Sequence, residues 1–312
     1  MKKASYKVSI IGAGAVGATL AERVLESGLA DVVLLDIFKN IACGKSLDLL
    51  DAASILGHEQ NITGTDNYAE IKSSDIVVIT AGLPRKPGMS REDLVSKNAA
   101  IVREVSNNIK TYAPGSIVII VTNPLDAMTY LAYKTTGFKK EKILGMAGEL
   151  DGSRLVYLIA EELRVPRSSV ETYVMGSHGD TMVPLLSQTK VSGKPISDLL
   201  SKEKLDKIVK RTCDRGAEIV ALLGTGSAYY SPSAAVFKMI DIILSDTKKV
   251  IVASAVLNGE YGLKNIAIGV LCMIGKSGIE KIIDLELSES EKAAFDKSAK
   301  AIKSSMKFLK LS

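Results

Sequence analysis

Lys7-Val8-Ser9-Ile10-Ile11-Gly12-Ala13-Gly14-Ala15-Val16-Gly17 is the stretch on which the reading of this chain turns. Val8, Ile10 and Ile11 form a β-branched run, too short for a helix and closed by glycine, which predicts a buried strand. The glycines follow in the spacing G-x-G-x-x-G, and Ala18 to Leu25 carry the periodicity of a helix. Between strand and helix each glycine has its own task. Gly12 makes the tight turn, Gly14 lets the backbone approach a pyrophosphate, and Gly17 lets helix and strand pack closely. The free N–H groups and positive dipole end of the helix would hold the pyrophosphate. A glycine turn alone is common and often has no ligand. Here a second apolar run, Val32 to Leu35, ends in Asp36, near the acid offset that a dinucleotide site requires. The expected cofactor cradle is therefore Gly12, Ala13, Gly14, Ala15, Val16 and Gly17, with Asp36 on the ribose.

The pattern continues along the first half of the chain. Ile41 to Leu56 reads as a helix, Ile76 to Ile79 as a strand ending in Thr80-Ala81-Gly82, and Ile117 to Val121 as a strand closing in Thr122-Asn123-Pro124. Between the last two lie a Pro-, Gly- and Arg-rich loop, Leu83 to Arg91, and a long helix with Leu94, Asn98, Ile101, Val102, Val105 and Ile109 on one face. Strands that are continuous apolar runs, alternating with helices, predict a parallel sheet covered on both faces. Ligands of such sheets bind beyond the carboxyl ends of the strands. The glycine turn, Asp36, Thr80–Arg91 and Thr122–Asn123 should thus surround one crevice.

From about Met146 the pattern changes. Asp151 and Arg154 lie one turn apart on a predicted helix and share a face. Val170 to Met175 reads as a strand that runs into Gly176-Ser177-His178-Gly179-Asp180. Two helices over Glu203–Leu223 and Ala228–Leu244, two strands and a terminal helix opened by the Ser288-x-x-Glu291 capping box complete the chain. The expected division is 1–147 for the dinucleotide-binding part and 148–312 for the catalytic part.

The chain has 312 residues, 46% hydrophobic and 24% charged, which is ordinary for a globular protein of one large or two smaller domains. Its net charge of +5 is spread without a run of five like charges, which argues against a nucleic-acid surface. Cys43, Cys213 and Cys272 are odd in number and far apart, a pattern that predicts neither disulfides nor a metal centre and fits a reducing compartment. The longest apolar runs, such as Val250–Leu257, fall far short of a membrane span, and the lysines before the glycine turn lead into a site that cleavage would destroy. The expected location is the cytoplasm.

There are two histidines. His58 lies in a polar turn and reads as a surface residue. His178 stands between two glycines at a strand end, where backbone can approach a ligand. Imidazole titrates near neutrality, as hydride chemistry at a carbonyl demands, because the developing alkoxide must gain a proton.

Taken in order, the glycine turn, Asp36, Thr80-Ala81-Gly82, Arg85 through Arg91, Thr122-Asn123-Pro124-Leu125-Asp126, Leu150-Asp151-x-x-Arg154 and Ser177-His178-Gly179-Asp180 resemble the lactate/malate dehydrogenase superfamily over essentially the full length. The likeness is closest to its lactate-dehydrogenase-like malate dehydrogenases. The resemblance implies an α/β fold, a Rossmann-type doubly wound parallel sheet followed by a C-terminal mixed α/β catalytic domain. It also implies NAD as cofactor, malate and oxaloacetate as the small-molecule substrates, and a homotetramer, with a dimer as the alternative. By this resemblance His178 is the acid/base and Asp151 its carboxylate partner. Arg154 binds the substrate C1 carboxylate, while Arg91, on a closing loop, polarises the reacting carbonyl. Arg85 meets the second carboxylate, Asn123 touches substrate and nicotinamide, and Asn98, Val121 and Thr122 line the cofactor side. Asp36, followed by Ile37 and Phe38 with no adjacent arginine, favours NAD over NADP, since a carboxylate accepts from a 2′-hydroxyl and repels a 2′-phosphate. A lactate dehydrogenase shares the machinery and remains the nearest alternative. A non-catalytic NAD-binding protein is the more distant one.

Overall fold

The computed structural model describes residues 6–84 and 90–309; for Arg91 it describes the backbone alone. The first half runs β1 (Tyr6–Ile11), α1 (Ala15–Glu26), β2 (Ala30–Leu35), α2 (Lys39–Leu56), β3 (Ile62–Thr65), β4 (Ile76–Ile79), α3 (Arg91–Tyr112), β5 (Ile117–Ile120), α4 (Leu125–Thr136) and β6 (Ile143–Met146). The strands pair in the order β3-β2-β1-β4-β5-β6, all parallel. Every residue of β4, β5 and β6 is buried, as expected of strands covered on both faces.

Side-chain alternation divides each strand between two cores. Val8 and Ile10 of β1, Ile76 and Val78 of β4, and Ile117 and Ile119 of β5 enter one cluster. Ile11, Val77, Ile79, Val118 and Ile120 enter the other. A slip of one residue in register would exchange the two faces, so the continuous apolar runs hold the register through packing rather than through a polar–apolar pattern. In that register Ile11 lies opposite both Leu35 and Ile79, and Ile79 opposite Ile120. The loops after β1, β2, β4 and β5 therefore leave the sheet side by side. Strand order reverses between β1 and β4, which opens a crevice there.

The second half runs α5 (Gly148–Leu163), β7 (Val170–Glu171), β8 (Val174–Gly176), β9 (Met182–Pro184), β10 (Lys190–Val191), β11 (Lys194–Pro195), α6 (Lys202–Leu223), α7 (Tyr230–Leu244), β12 (Lys249–Asn258), β13 (Lys264–Gly275), β14 (Gly278–Ile282) and α8 (Glu289–Met306). β12 adds antiparallel to β6, and β13, β8 and β9 follow, so one sheet runs through both halves of the chain. The single strand expected over Val170–Met175 is two. β7 joins a small sheet with β10 and β11, while β8 joins the large one. The step between them lets Gly176, with φ +82, turn the chain out of the sheet just before His178.

The predicted capping box at the start of α8 is present in both directions, Ser288 accepting from the Glu291 N–H and Glu291 accepting from the Ser288 N–H. α2 departs from the usual amphipathic arrangement. It buries only Ala42, Ser46 and Ala53, while Leu47 and Ile55 face outward at 64% and 87% exposure.

Candidate active site

The glycine turn forms as its spacing requires. Gly12 takes φ +110, which L side chains disfavour, and a Cβ there would come within 2.7 Å of the Ala81 nitrogen and Thr80 Oγ1. A Cβ on Gly17 would collide with the Gly12 carbonyl, so helix and turn touch through bare backbone. Thr80 Oγ1 donates to the Gly12 carbonyl at 2.9 Å and ties the end of β4 to the turn. Gly14 and Ala15 are exposed, no heavy atom lies within 4 Å of a Cβ placed on Gly14, and α1 begins there without a side-chain cap. The first N–H groups of α1 thus face open space across a glycine, an arrangement that fits a pyrophosphate.

Asp36 follows β2 and is half-buried. Its carboxylate accepts the Ala13 N–H at 2.7 Å and the Phe38 N–H at 2.9 Å, which places it over the glycine turn. Each oxygen keeps a lone pair for a ribose hydroxyl. Asp36→Ser is expected to weaken NAD binding and admit NADP, because the acceptor and the repulsion of a 2′-phosphate both disappear. Fluorescence titration with NADH and NADPH reads the change; equal binding of the two by the unmutated protein would contradict the assignment.

Val121, Thr122 and Asn98 meet at the ends of β4 and β5. Thr122 Oγ1 donates to the Ala81 carbonyl at 2.7 Å and the Val121 N–H to the Ile79 carbonyl at 2.9 Å. Asn98, 1% exposed on α3, accepts from the Leu83 N–H at 2.8 Å and donates to the carbonyls of Leu83 at 3.1 Å and Asn123 at 2.7 Å. Its amide thus clasps two loops together. The Asn123 side chain, by contrast, belongs to an exposed residue at the mouth of the crevice. Ser90 caps α3, its Oγ accepting the Asp93 N–H at 3.0 Å, and so fixes where Arg91 begins. Arg85 and the Arg91 side chain lie outside the described residues.

The titratable centre is assembled from distant parts of the second half. His178 Nδ1 lies 2.8 Å from Asp151 Oδ2, and Arg154 Nη1 lies 3.2 Å from Asp151 Oδ1. The Asp151 side chain is 1% exposed, that of His178 13% and that of Arg154 12%. Burial pushes the imidazole toward neutrality, but the charge and hydrogen bond of Asp151 outweigh it, with help from Asp126 and against Arg154; the net pKa is raised above the ordinary histidine value. Burial likewise draws the Arg154 guanidinium below its usual range, opposed by Asp151 and reinforced by Arg215. Arg154 Nε is out of water and has no protein partner, an orphaned donor on a guanidinium suited to grip a carboxylate.

Five residues that hold this centre had no assigned role in the sequence. Asp126 Oδ2 accepts the His178 N–H at 2.9 Å, Ser254 Oγ donates to Asp126 Oδ1 at 2.7 Å, and Ser298 Oγ accepts the Ser177 N–H at 2.6 Å. Ser177 Oγ is 2.7 Å from Thr181 Oγ1 and braces the loop from within. Asp126 carried a legible signal, a carboxylate in the otherwise apolar Leu125-Asp126-Ala127-Met128. The serines carried none. His58 is half-buried beyond the end of α2, and its Nδ1 is out of water without a partner. Volume alone would mislead here: the cavity of about 1020 Å³ lies at the opposite, amino ends of β1, β4 and β5, beside Lys72, Asp75 and Lys142.

Residues 6–145 match the lactate/malate dehydrogenase NAD binding domain, and residues 148–310 match the lactate/malate dehydrogenase alpha/beta C-terminal domain. A malate dehydrogenase of Methanosarcina barkeri is 48% identical over 305 residues, 98% of this chain and 99% of that protein. The solved malate dehydrogenase of Picrophilus torridus superposes with a TM-score of 0.95 at 44% identity, covering 98% of each chain. The lactate dehydrogenase of Cryptosporidium parvum, solved with lactic acid and nicotinamide adenine dinucleotide, superposes with a TM-score of 0.96 at 38% identity over the whole of both chains. With its glycine cradle and its His–Asp–Arg cluster both in place, the chain belongs to the lactate/malate dehydrogenase family and takes NAD as its cofactor.

Proposed function

We propose that this chain is a malate dehydrogenase that interconverts (S)-malate and oxaloacetate. The observation that carries the mechanism is the buried contact of His178 Nδ1 with Asp151, 2.8 Å, beside a guanidinium with an orphaned donor. Bound nicotinamide supplies the hydride chemistry at the substrate C2. His178 does the proton work. Asp151 accepts the Nδ1–H, which leaves Nε2 to give its proton to the developing alkoxide or to take it from the malate hydroxyl. Arg154 grips the C1 carboxylate, Arg91 polarises the carbonyl, and Arg85 meets the C4 carboxylate. Asn123 orients substrate and cofactor, while Asn98, Val121 and Thr122 shape the cofactor side. Residues 1–147 act as the cofactor-binding domain and 148–312 as the catalytic one.

The choice of malate over lactate draws on the malate dehydrogenase names of the full-length relatives and on Arg85. The assay is NADH oxidation with oxaloacetate and pyruvate side by side. Oxaloacetate is expected to be the far better substrate. Faster turnover of pyruvate would make the chain a lactate dehydrogenase, and NADH binding without turnover of either would make it a non-catalytic binder.

A pH dependence follows from the raised His178 pKa. Oxaloacetate reduction uses the imidazolium, so kcat/KM is expected to fall as pH rises past a pKa above the ordinary histidine value. Malate oxidation uses the neutral ring and should rise over the same interval. A flat profile for both, with the chemical step limiting, would remove His178 from the reaction.

The same reading takes the enzyme to be a cytoplasmic homotetramer, with a dimer as the alternative, serving the tricarboxylic acid cycle. The outward-facing Ile37, Phe38, Ile41, Leu47, Ile55 and Leu56 on and before α2 support self-association. Among the described residues no helix is long and apolar enough to cross a membrane. Light scattering of the purified protein gives the subunit number.

A further inference from the structure

Among the described residues two carboxylates bond His178, Asp151 at the ring and Asp126 at the backbone N–H. Asp126 sits on the first turn of α4, 4% exposed, and reaches across to the catalytic loop. Oδ2 accepts the backbone N–H of His178 at 2.9 Å and Oδ1 accepts Ser254 Oγ of β12 at 2.7 Å. The loop it holds lies between Gly176 and Gly179, which place few limits on the backbone. It is fixed instead from outside, by Asp126 on α4, by Ser298 on α8, and through the imidazole by Asp151 on α5.

Geometry alone does not require an acid at this position. An asparagine could accept the His178 N–H through its oxygen and donate to Ser254 Oγ through its nitrogen. What the carboxylate adds is charge. It lies at the positive end of α4 with two donors on it, both of which favour the ionised form. Burial is the stronger influence and, with the charge of Asp151 and against those two bonds and the nearby imidazole, pushes its pKa up to about 6. The two bonds and the imidazole hold the balance toward the anion. Among the described residues, the charged groups that act on the imidazole are Asp151 and Arg154 from α5 and Asp126 from α4.

We propose that Asp126 is a positioning residue for the reaction, anchoring the main chain of His178 and, by its negative charge, favouring the protonated imidazole for delivery to the substrate. The proposal rests on His178 as the proton donor, and its test is read at His178 itself, apart from turnover. The chain has two histidines, so ring-labelled protein gives two imidazole titrations by NMR, with His58 as the internal reference. In Asp126→Asn the His178 signal is expected to titrate at lower pH while the His58 signal does not move. kcat for oxaloacetate at neutral to alkaline pH should fall by up to about tenfold, the fraction of imidazolium lost, with KM and NADH affinity changed by less than about twofold. Asp126→Ala removes the anchor as well and should reduce kcat further. Ser254→Ala withdraws one donor from the carboxylate and raises its proton affinity, so it should lower the His178 titration in the same direction by less; it decides the matter if the Asp126 variants do not fold. A His178 titration unmoved in folded Asp126→Asn, or in Ser254→Ala where the former cannot be read, overturns the proposal and leaves Asp126 as a structural clasp. If His178 titrates lower but the unmutated enzyme turns over neither acid, the electrostatic role stands and the dehydrogenase reading fails.

Discussion

His178→Asn is expected to lower turnover of oxaloacetate by ~10²–10⁴-fold, the range that a general acid–base group supplies, while NADH binds as before. Asparagine keeps a polar amide near Asp151 but cannot carry a proton to the substrate. The proposed cofactor contacts lie elsewhere, on the turn after β1 and the carboxylate after β2, and are not expected to sense the substitution. Asp151 loses its imidazole partner but keeps Arg154 at 3.2 Å, which holds its charge satisfied. Steady-state kinetics and NADH fluorescence titration check the two halves of the expectation separately. Turnover within a few-fold of the parent would mean that another group delivers the proton.

The second large effect is expected at Arg85, six residues before Arg91 in the same loop. Arg85→Gln should lower kcat/KM for oxaloacetate by ~10²-fold or more and raise it for pyruvate. Oxaloacetate carries two carboxylates into the proposed site. On that reading Arg154 neutralises the first, and the second needs a cation of its own. Pyruvate offers only a methyl group there and would leave the guanidinium without a partner. Hydrogen bonds to charged groups contribute ~1.5–3 kcal/mol and an unpaired buried charge costs more. At ~1.4 kcal/mol per tenfold, two orders of magnitude follow. A variant that slows equally on both acids would show that Arg85 does not discriminate, and pocket size would then have to carry the selectivity.

Local pattern was enough for four of the six parallel strands of the first half, while β3 and β6 went unread. The apolar runs of β1, β2, β4 and β5 and the G-x-G-x-x-G turn lie within a few residues of the features they imply, and a strand that must be buried on both faces can hardly read otherwise. Gly12 and Gly17 are legible for the same reason: what excludes a side chain at each is mainly the turn itself and the strand end beside it. Asp151 and Arg154 share a helix face by spacing alone. The division of Val170–Met175 between two sheets was not legible, because β-branched residues serve any sheet and the partner strands come from elsewhere in the chain.

The support of the acid–base centre belongs to long-range packing. His178 meets Asp151 across 27 residues, Asp126 across 52, and its neighbour Ser177 meets Ser298 across 121. No periodicity spans such separations. A serine on a helix reads as a solvent-facing residue until the fold presses it against a loop, and an aspartate in an apolar turn shows only that some partner must exist. Residue type and order therefore name the cofactor, a nicotinamide dinucleotide, and single out the imidazole proposed to move the proton. The proton affinity of that imidazole is set by which charges the folded chain brings around it, because electrostatic influence depends on distance and burial, and neither exists before the chain is packed.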